Sequence, residues 1–168
     1  MAIVRKANLR DIEIIMNIID NARALMRITG NKKQWISGYP SLKLITEDVL
    51  NETCYVCVDE DDIILATFFF KIITDGIYPE ICKGKWLCEG MYGIVHRIAS
   101  AGIMKHVSDI CLNWCFEQCS NICIDTHEDN KIMQHVLMRN KFIYCGITYT
   151  DSGSPRLAFQ KCRIEKSI

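Results

Sequence analysis

The feature that most constrains this chain of 168 residues is one run of alternating strand-like and helix-like segments. The run predicts, in order, a strand, a loop, a helix, a strand and a second helix, at Tyr92–Ser100, Ala101–Lys105, His106–Cys119, Asn121–Thr126 and His127–Phe142. A strand that ends in a glycine-containing loop feeding a helix is suited to bind phosphate. The free backbone N–H groups and the helix dipole point the same way there. The run therefore predicts a site for a phosphate-bearing ligand after the first strand.

The remaining segments extend the same alternation. They predict strands at Ile3–Ala7, Thr53–Glu60, Ile63–Ile73, Phe142–Tyr149 and Arg156–Lys161, and helices at Asn8–Ile28 and Ser41–Leu50. Asn8 and Ser41 are the expected N-caps of these helices. A long loop is expected over Gly76–Gly90, and the last two strands are expected to form a hairpin. This order predicts an α/β fold with a mixed central sheet and helices on both faces.

Composition narrows the class of protein. Twenty basic residues balance twenty acidic ones, and 49% of the residues are apolar. The balance argues against a nucleic-acid or membrane partner, because both usually need a basic excess. No apolar run is long enough to span a bilayer, and the N-terminal residues become polar too early for a signal peptide. We therefore expect residues 1–168 to form one cytoplasmic domain.

The ten cysteines are expected to be reduced thiols, because a chain without a secretion signal meets a reducing setting. Cys111, Cys115 and Cys119 recur every four residues, so they lie along one helix face. Cys54 and Cys57 have a metal-ligand spacing, but they fall in a strand-like segment where positions three apart face opposite sides. We favour small apolar core residues over a zinc site, and expect no metal.

Three segments resemble the GNAT-type N-acetyltransferase superfamily. HRIAS (His96–Ser100) is similar to the central strand of that family, and NKIMQHVLMRNKF (Asn130–Phe142) is similar to its later motif N-x-x-A-x-x-L-Y-x-x-x-G-F. QWISGYPS (Gln34–Ser41) is similar to a stretch before the second helix of many bacterial members. The resemblance implies the GNAT acyl-CoA N-acyltransferase fold. It also implies transfer of an acetyl group from acetyl-CoA to an amine, by direct attack on the thioester.

The resemblance also implies where acetyl-CoA would bind. The central strand would pair with the pantetheine arm, the loop and helix start would hold the pyrophosphate, and Asn130 would bond the pantetheine amides. The implied cofactor-binding residues are Ile98, Ala99, Ser100, Gly102, Ile103, Lys105, His106, Val107, Ser108, Asp109, Asn130 and Met133. Asn130 is equally expected to cap the helix that it begins.

Several positions depart from the family pattern. The pyrophosphate motif Q/R-x-x-G-x-G/A places Ile103 at its first position, and His106 and Ser108 at the two glycines. Leu137 stands where the later motif has a tyrosine that often protonates the leaving thiolate, and Lys141 stands where it has a glycine. These departures leave open a second hypothesis, a catalytically impaired acyl-CoA-binding module that senses the cofactor or scaffolds a partner.

His96 and Tyr144 are the candidate catalytic residues. A histidine titrates near neutral pH, so His96 suits the removal of a proton from the incoming amine if its ring faces the thioester. The alternative is a histidine held by core hydrogen bonds. A tyrosine of the closing hairpin, Tyr144 or Tyr149, would replace the missing acid, or would simply pack at the surface.

Other aromatic, acidic and histidine side chains have two interpretations each. Four rings would line an acceptor pocket or belong to the core, namely Trp35, Tyr39, Trp86 and Tyr92. Glu89 is a candidate base or a solvated loop carboxylate, and His127 and His135 are more typical of surface positions. Assembly as a homodimer is left open, as is the identity of the amine.

Overall fold

The strands and helices follow the predicted order. The computed structural model describes residues 1–163, and its seven strands β1–β7 span Ile3–Lys6, Cys54–Val58, Ile64–Ile73, Tyr92–Ser100, Asn121–Thr126, Ile143–Tyr149 and Pro155–Cys162. The helices α1–α4 of this part of the chain span Ile12–Ile28, Leu42–Leu50, Val107–Gln118 and Lys131–Arg139. Most predicted bounds agree with these within a few residues. Only the helix expected over His127–Phe142 is much shorter, because an irregular turn precedes Asn130.

The sheet is mixed, with strand order β1-β2-β3-β4-β5-β7-β6. The β4–β5 pair is parallel and every other pairing is antiparallel. The last two strands, β6 and β7, pair as the expected hairpin. Of these two, β7 pairs with β5, so β6 is the edge strand. The predicted α/β fold with a mixed central sheet is confirmed.

Polar caps start α2 and the short turn before α1. The Ser41 hydroxyl accepts a hydrogen bond from the Leu44 N–H at 3.1 Å, which begins α2 as predicted. Asn8 instead caps a short 3-10 turn, Leu9–Asp11, whose Asp11 carboxylate accepts from the Asn8 N–H. Asn8 and Asp11 form the capping box of this turn, and the α-helix α1 starts after it, at Ile12.

The two faces of the sheet have separate cores. On one face, α1 and α2 bury Ile15, Ile19 and Ile45 against the sheet. On the other face the core contains residues of α3 and α4, among them Leu112, Leu137 and three cysteines, Cys111, Cys115 and Cys119. These cysteines are small core residues, as predicted, because thiols pack well in an apolar environment. Cys54 and Cys57 belong to opposite cores, which excludes a shared metal between them.

Cys88 and Cys162 form a disulfide, which corrects the expectation of ten free thiols. The other eight cysteines are free. The bond joins the long loop before β4 to the end of β7, 74 residues apart in sequence. Sequence spacing does not reveal such a pair, because only the tertiary fold brings the two segments together. Among residues 1–163, no group of His, Cys, Asp and Glu side chains is arranged to hold a metal ion.

The loop between β3 and β4 packs against the β6–β7 edge. Cys82 forms an isolated antiparallel bridge with Ile147, and the Lys85 N–H donates to the Cys145 carbonyl. The fully buried Gln160 side chain accepts from the Leu87 N–H at 2.6 Å. In the described part of the chain, no helix combines the length and the apolar character needed to cross a membrane.

Candidate active site

The two central strands separate toward their C-terminal ends. β4 and β5 pair only at Gly93–Ile122 and Ile94–Cys123, within the residues that the structure describes. Beyond these pairs the edge of β4 that faces β5 has no strand partner. Unpaired backbone amides need hydrogen-bond partners, so this gap is suited to an extended polar chain. The resemblance implies that the pantetheine arm pairs with this same strand.

A cleft of about 730 Å³ opens at this gap. Its walls come from β4, β5, the segment between α1 and α2, the start of α4 and the β6–β7 hairpin. The side chains that matter for chemistry are His96, Arg97, Asp125, Thr126, Asn130, Tyr149 and Arg156. Binding sites are concave and have a few convergent polar groups, so this cleft is the candidate active site.

His96 lies on the wall of the cleft, as the sequence-based hypothesis requires. Its ring centroid lies 5.6 Å from that of Phe69. Burial lowers the pKa of His96 below its ordinary value, and the nearby carboxylate of Asp125 opposes that shift. The imidazole is therefore neutral at pH 7 and able to accept a proton. This position favours the catalytic interpretation over a histidine confined to the core.

Asp125 was not identified by sequence reasoning. Continuing the parallel register from Ile94–Cys123 places Asp125 of β5 level with His96 across the gap. Both side chains line the cleft. The neighbouring Thr126 hydroxyl is buried and has no hydrogen-bond partner within residues 1–163. The sequence predicts that Asp125 belongs to the strand Asn121–Thr126. Only the register between β4 and β5, which are distant in sequence, shows that Asp125 lies beside His96.

A bulge in β4 turns Arg97 toward α2. The register with β3 shifts between Thr67 and Phe69, and Arg97 has a left-handed φ of 52°. Its guanidinium donates to the Asp48 carboxylate at 2.7 Å and lies 4.7 Å from the Phe69 ring centre. It also donates to the Tyr39 hydroxyl at 3.0 Å. This contact fixes the α1–α2 segment against the strand.

The predicted pyrophosphate loop has an open geometry. Gly102 has a φ of 76°, and a Cβ built there meets no atom within 4 Å. His106 has a φ of 60° and is the N-cap of α3, so this histidine adopts the conformation that favours the family's glycine. The side chains of Ile103, Lys105 and His106 are exposed. The loop thus keeps a glycine-like backbone at His106, although histidine and serine replace the two glycines of the family motif.

Other predicted cofactor residues divide between the cleft and the core. Ile98 lines the cleft, while Ala99 and Val107 are buried in the two cores. The Ser100 hydroxyl accepts from the Gly102 N–H at 3.1 Å. Ser108 is half-buried in the first turn of α3. Ala99 and Val107 would therefore contact a ligand through the backbone alone.

Asp109 has a partner within the protein. Its carboxylate accepts from Arg139 at 2.7 Å and from the Asn140 amide at 2.7 Å. These donors, with the nearby His106, lower the pKa of Asp109 although burial acts to raise it. The side chain is therefore engaged between α3 and α4. Its backbone N–H is also engaged, because it donates to the His106 carbonyl at 3.0 Å.

Asn130 caps α4 and also faces the cleft. Its side-chain oxygen accepts from the Met133 N–H at 3.0 Å, and its amide donates to the Gln34 oxygen at 2.9 Å. Gln34 also accepts from the Asn31 amide at 2.9 Å. Met133 lines the cleft beside Asn130. Both interpretations of Asn130, cap and cleft residue, are therefore compatible with its position.

Tyr144 lies outside the cleft, and Tyr149 lines it. The Tyr144 ring packs edge-on against Phe159, with 5.8 Å between centroids. Its hydroxyl is thus not placed to act in the cleft, which corrects Tyr144 as the preferred catalytic tyrosine. The Tyr149 hydroxyl accepts a weak hydrogen bond from the Cys82 thiol at 3.9 Å. This contact raises the pKa of Tyr149, so its phenol stays protonated at neutral pH.

The other aromatic, acidic and histidine candidates also divide into residues that line the cleft and residues that lie outside it. Trp35 and Tyr39 line the cleft, and Trp35 is at the same time buried in the α1–α2 core. Trp86 and Tyr92 lie elsewhere, each with its ring against Tyr78. Glu89, His127 and His135 do not line the cleft. His127 is buried, contrary to the expected surface position, because its Nδ1 accepts from the Asp129 N–H.

Comparison with known proteins agrees with this architecture. A GNAT-family acetyltransferase from Streptococcus agalactiae 2603 is 31% identical, with a TM-score of 0.84, and the match covers 98% of this chain and 96% of that one. No protein-family model and no curated protein matches the chain. The chain therefore belongs to the GNAT family of acetyltransferases, as the resemblance implied.

More distant solved structures share the fold alone. The ribosomal-protein-S5-alanine acetyltransferase of Vibrio fischeri is 14% identical with a TM-score of 0.59, and the match covers 99% of this chain and 96% of that one. A chain of the NatC complex bound to Gag peptide and CoA is 12% identical with a TM-score of 0.56, covering 96% and 98%.

Proposed function

We propose that this protein is an acetyl-CoA-dependent N-acetyltransferase that transfers the acetyl group directly to an amine bound in the cleft. The observation that supports it best is the combination of the unpaired β4 edge and a partly buried, neutral histidine in one cleft. The pantetheine arm of acetyl-CoA would fit the gap between β4 and β5, where it would satisfy the free amides. Its pyrophosphate would lie on the backbone of residues 103–108, at the start of α3, because the N–H groups of Gly102 and Asp109 already have acceptors within the protein.

Each catalytic role has a residue in the cleft. His96 would accept the proton of the attacking amine, directly or through one water. Backbone amides of β4 near Ile98 would stabilise the oxyanion of the tetrahedral intermediate. Tyr149 would give a proton to the leaving thiolate of CoA, which leaves as the free thiol. Holding amine and thioester side by side would supply much of the rate enhancement.

The cysteine positions support direct transfer over an acetyl-cysteine intermediate. None of the ten cysteines, all within the described residues, lines the cleft. Burial raises the pKa of Cys54 to about 11, and it also raises the pKa of Cys115 and Cys123. A nucleophilic cysteine needs an accessible thiolate, which these buried thiols do not provide.

One observation favours the second candidate, an acyl-CoA-binding module without catalysis. Leu137 replaces the usual tyrosine of the later motif, and it is fully buried in the core. The helix α4 therefore offers no hydroxyl acid at that position. In such a module Tyr149 would be a cleft residue without a catalytic role.

Calorimetry and a CoA-release assay separate the candidates. Binding of CoA should stabilise the fold by about 2.7 kcal/mol at a ligand concentration 100 times Kd. Release of free thiol from acetyl-CoA with a panel of amines should then show turnover. Binding without turnover would favour the module, and no thermal shift at millimolar CoA would contradict both. Isolation of an acetylated cysteine on the reaction path would exclude direct transfer.

A further inference from the structure

Two cations in the cleft have no acidic partner. Lys33 and Arg156 both line the cleft, and within residues 1–163 neither forms an ion pair with a carboxylate. Arg156 donates to the Ser154 hydroxyl at 2.6 Å and to the Pro155 carbonyl at 2.9 Å. The third cation of the cleft, Arg97, differs because Asp48 neutralises it at 2.7 Å. A half-buried guanidinium with unused donors is suited to bind an anion.

The sheet register places this cation on the same face as the catalytic candidates. Asp125 pairs with Ala158, and Arg156 lies two residues from Ala158 on the same strand. Residues two apart face the same side, so Arg156 shares the face of Asp125 and His96. Two strand spacings and two residues put the Cα atoms of Arg156 and His96 at least roughly 12 Å apart, because β4 and β5 separate at this point. The side chains reach into the cleft between them, which leaves room for a small molecule.

The two ends of this part of the cleft have opposite charge. The Asp125 carboxylate lies at the His96 end, where it would attract the ammonium form of an amine. Arg156 lies at the other end with Thr148, the residue paired with it on β6. The hairpin residues Thr150, Ser152 and Ser154 also line the cleft, and the hydroxyls of Thr150 and Ser152 bond to each other at 2.9 Å. Asp151 also borders the cleft, but its side chain is exposed on the hairpin turn.

We propose that the acceptor is a small amine that also carries an anionic group, with Arg156 as the residue that selects the anion. This inference rests on the proposed acetyl transfer, because the amine end is assigned from His96. A carboxylate or a phosphonate would bind the guanidinium through paired hydrogen bonds. A diamine or polyamine would instead place a second ammonium beside Arg156 and Lys33, which like-charge repulsion disfavours.

Matched amines test the proposal. Phenylalanine and 2-phenylethylamine differ by one carboxylate, as do ornithine and 1,4-diaminobutane, and 2-aminoethylphosphonate represents the phosphonate class. Binding of each amine to the CoA-saturated protein is measured by calorimetry, and turnover is measured by release of the CoA thiol. The variants are Arg156→Gln, Arg156→Lys and a surface control, Arg10→Gln, whose side chain is exposed outside the cleft.

We expect the acid-bearing member of a pair to bind and react about ten- to a hundred-fold better than its partner, as charged hydrogen bonds allow. Arg156→Gln should remove this preference through KM, Arg156→Lys should restore part of it, and Arg10→Gln should keep it. Comparison of the amino acids with 2-aminoethylphosphonate shows whether a carboxylate or a phosphonate is preferred. Equal or better use of the amines without an acid would overturn the inference while leaving acetyl transfer intact. Preferential binding without any turnover would support the anion site and overturn the proposed transfer.

Discussion

His96 lies where β4 separates from β5, and burial lowers the pKa of its imidazole below the ordinary value. A base with a lowered pKa is neutral over a wider range on the acid side. The rate should therefore be constant through pH 7 and fall only as the pH drops through that lowered pKa. The acid limb of kcat/KM is expected below about 6.5, the ordinary value for histidine.

Replacing His96 by alanine should lower turnover by roughly ten- to a thousand-fold and remove that acid limb, with CoA affinity unchanged. His135→Ala is the matched control, because His135 is exposed on α4 outside the cleft. Steady-state kinetics from about pH 5 to about pH 9, a range that brackets the ordinary pKa of histidine, measure the change. Normal turnover of the His96 variant would return this residue to a packing role beside Phe69.

Tyr149 and Tyr144 give a second test on a single strand. Tyr149 lines the cleft, whereas Tyr144 packs on Phe159 outside it. If Tyr149 protonates the thiolate, Tyr149→Phe should lower kcat by roughly ten- to a hundred-fold, at the low end for acid catalysis. Tyr144→Phe should leave kcat nearly unchanged. Kinetics of both variants, with their folding checked by circular dichroism, decide the matter, and equal kcat values would exclude Tyr149 as the acid.

At the scale of elements, Asn130 connects a helix cap to the α1–α2 segment. Its oxygen caps α4 through the Met133 N–H, and its amide donates to Gln34. Asn130→Ala should lower the free energy of unfolding by about 1 kcal/mol, the usual cost of losing a cap. Asn130→Asp keeps a capping oxygen but loses the amide donor, so its stability should stay close to that of the parent chain.

Both Asn130 variants should weaken CoA binding if the amide contacts the pantetheine arm as well. Urea unfolding and calorimetry on the same samples separate the two effects. Weaker CoA binding in Asn130→Ala alone would attribute the effect to the cap, and unchanged binding in both variants would contradict a cofactor role for this side chain.

For the whole molecule, the Cys88–Cys162 disulfide joins the β3–β4 loop to β7 across 74 residues of sequence. A cross-link that closes so long a loop restricts the unfolded chain, so reduction should lower the free energy of unfolding by about 2–4 kcal/mol. Urea unfolding with and without reductant measures this change. A variant with serine at both positions should be insensitive to reductant, which controls for other effects of the reagent.

Thiol titration checks the pairing itself. The denatured protein, kept free of reductant, should show eight thiols, and ten after reduction. Ten thiols before reduction would show that the pair is open in the isolated protein.

The sequence by itself determined the order of elements, the central strand–loop–helix unit and the family. These depend on local patterns, such as apolar periodicity, the Ser41 cap and the motif around HRIAS, which act within one segment. It also indicated His96 as a cleft residue, because the position of a residue along the central strand follows from that same motif.

Only the tertiary structure decided which side chains meet. Three features join segments that are distant in sequence: the position of Asp125 across the gap from His96, the position of Tyr149 at the cleft, and the Cys88–Cys162 bond. The bulge at Arg97 and the register of β7 between β5 and β6 set these neighbours. Such contacts depend on strand order and register, and a one-residue change of register moves every side chain to the other face. Local patterns in one chain do not specify that choice, so the chemistry of the cleft follows from the fold.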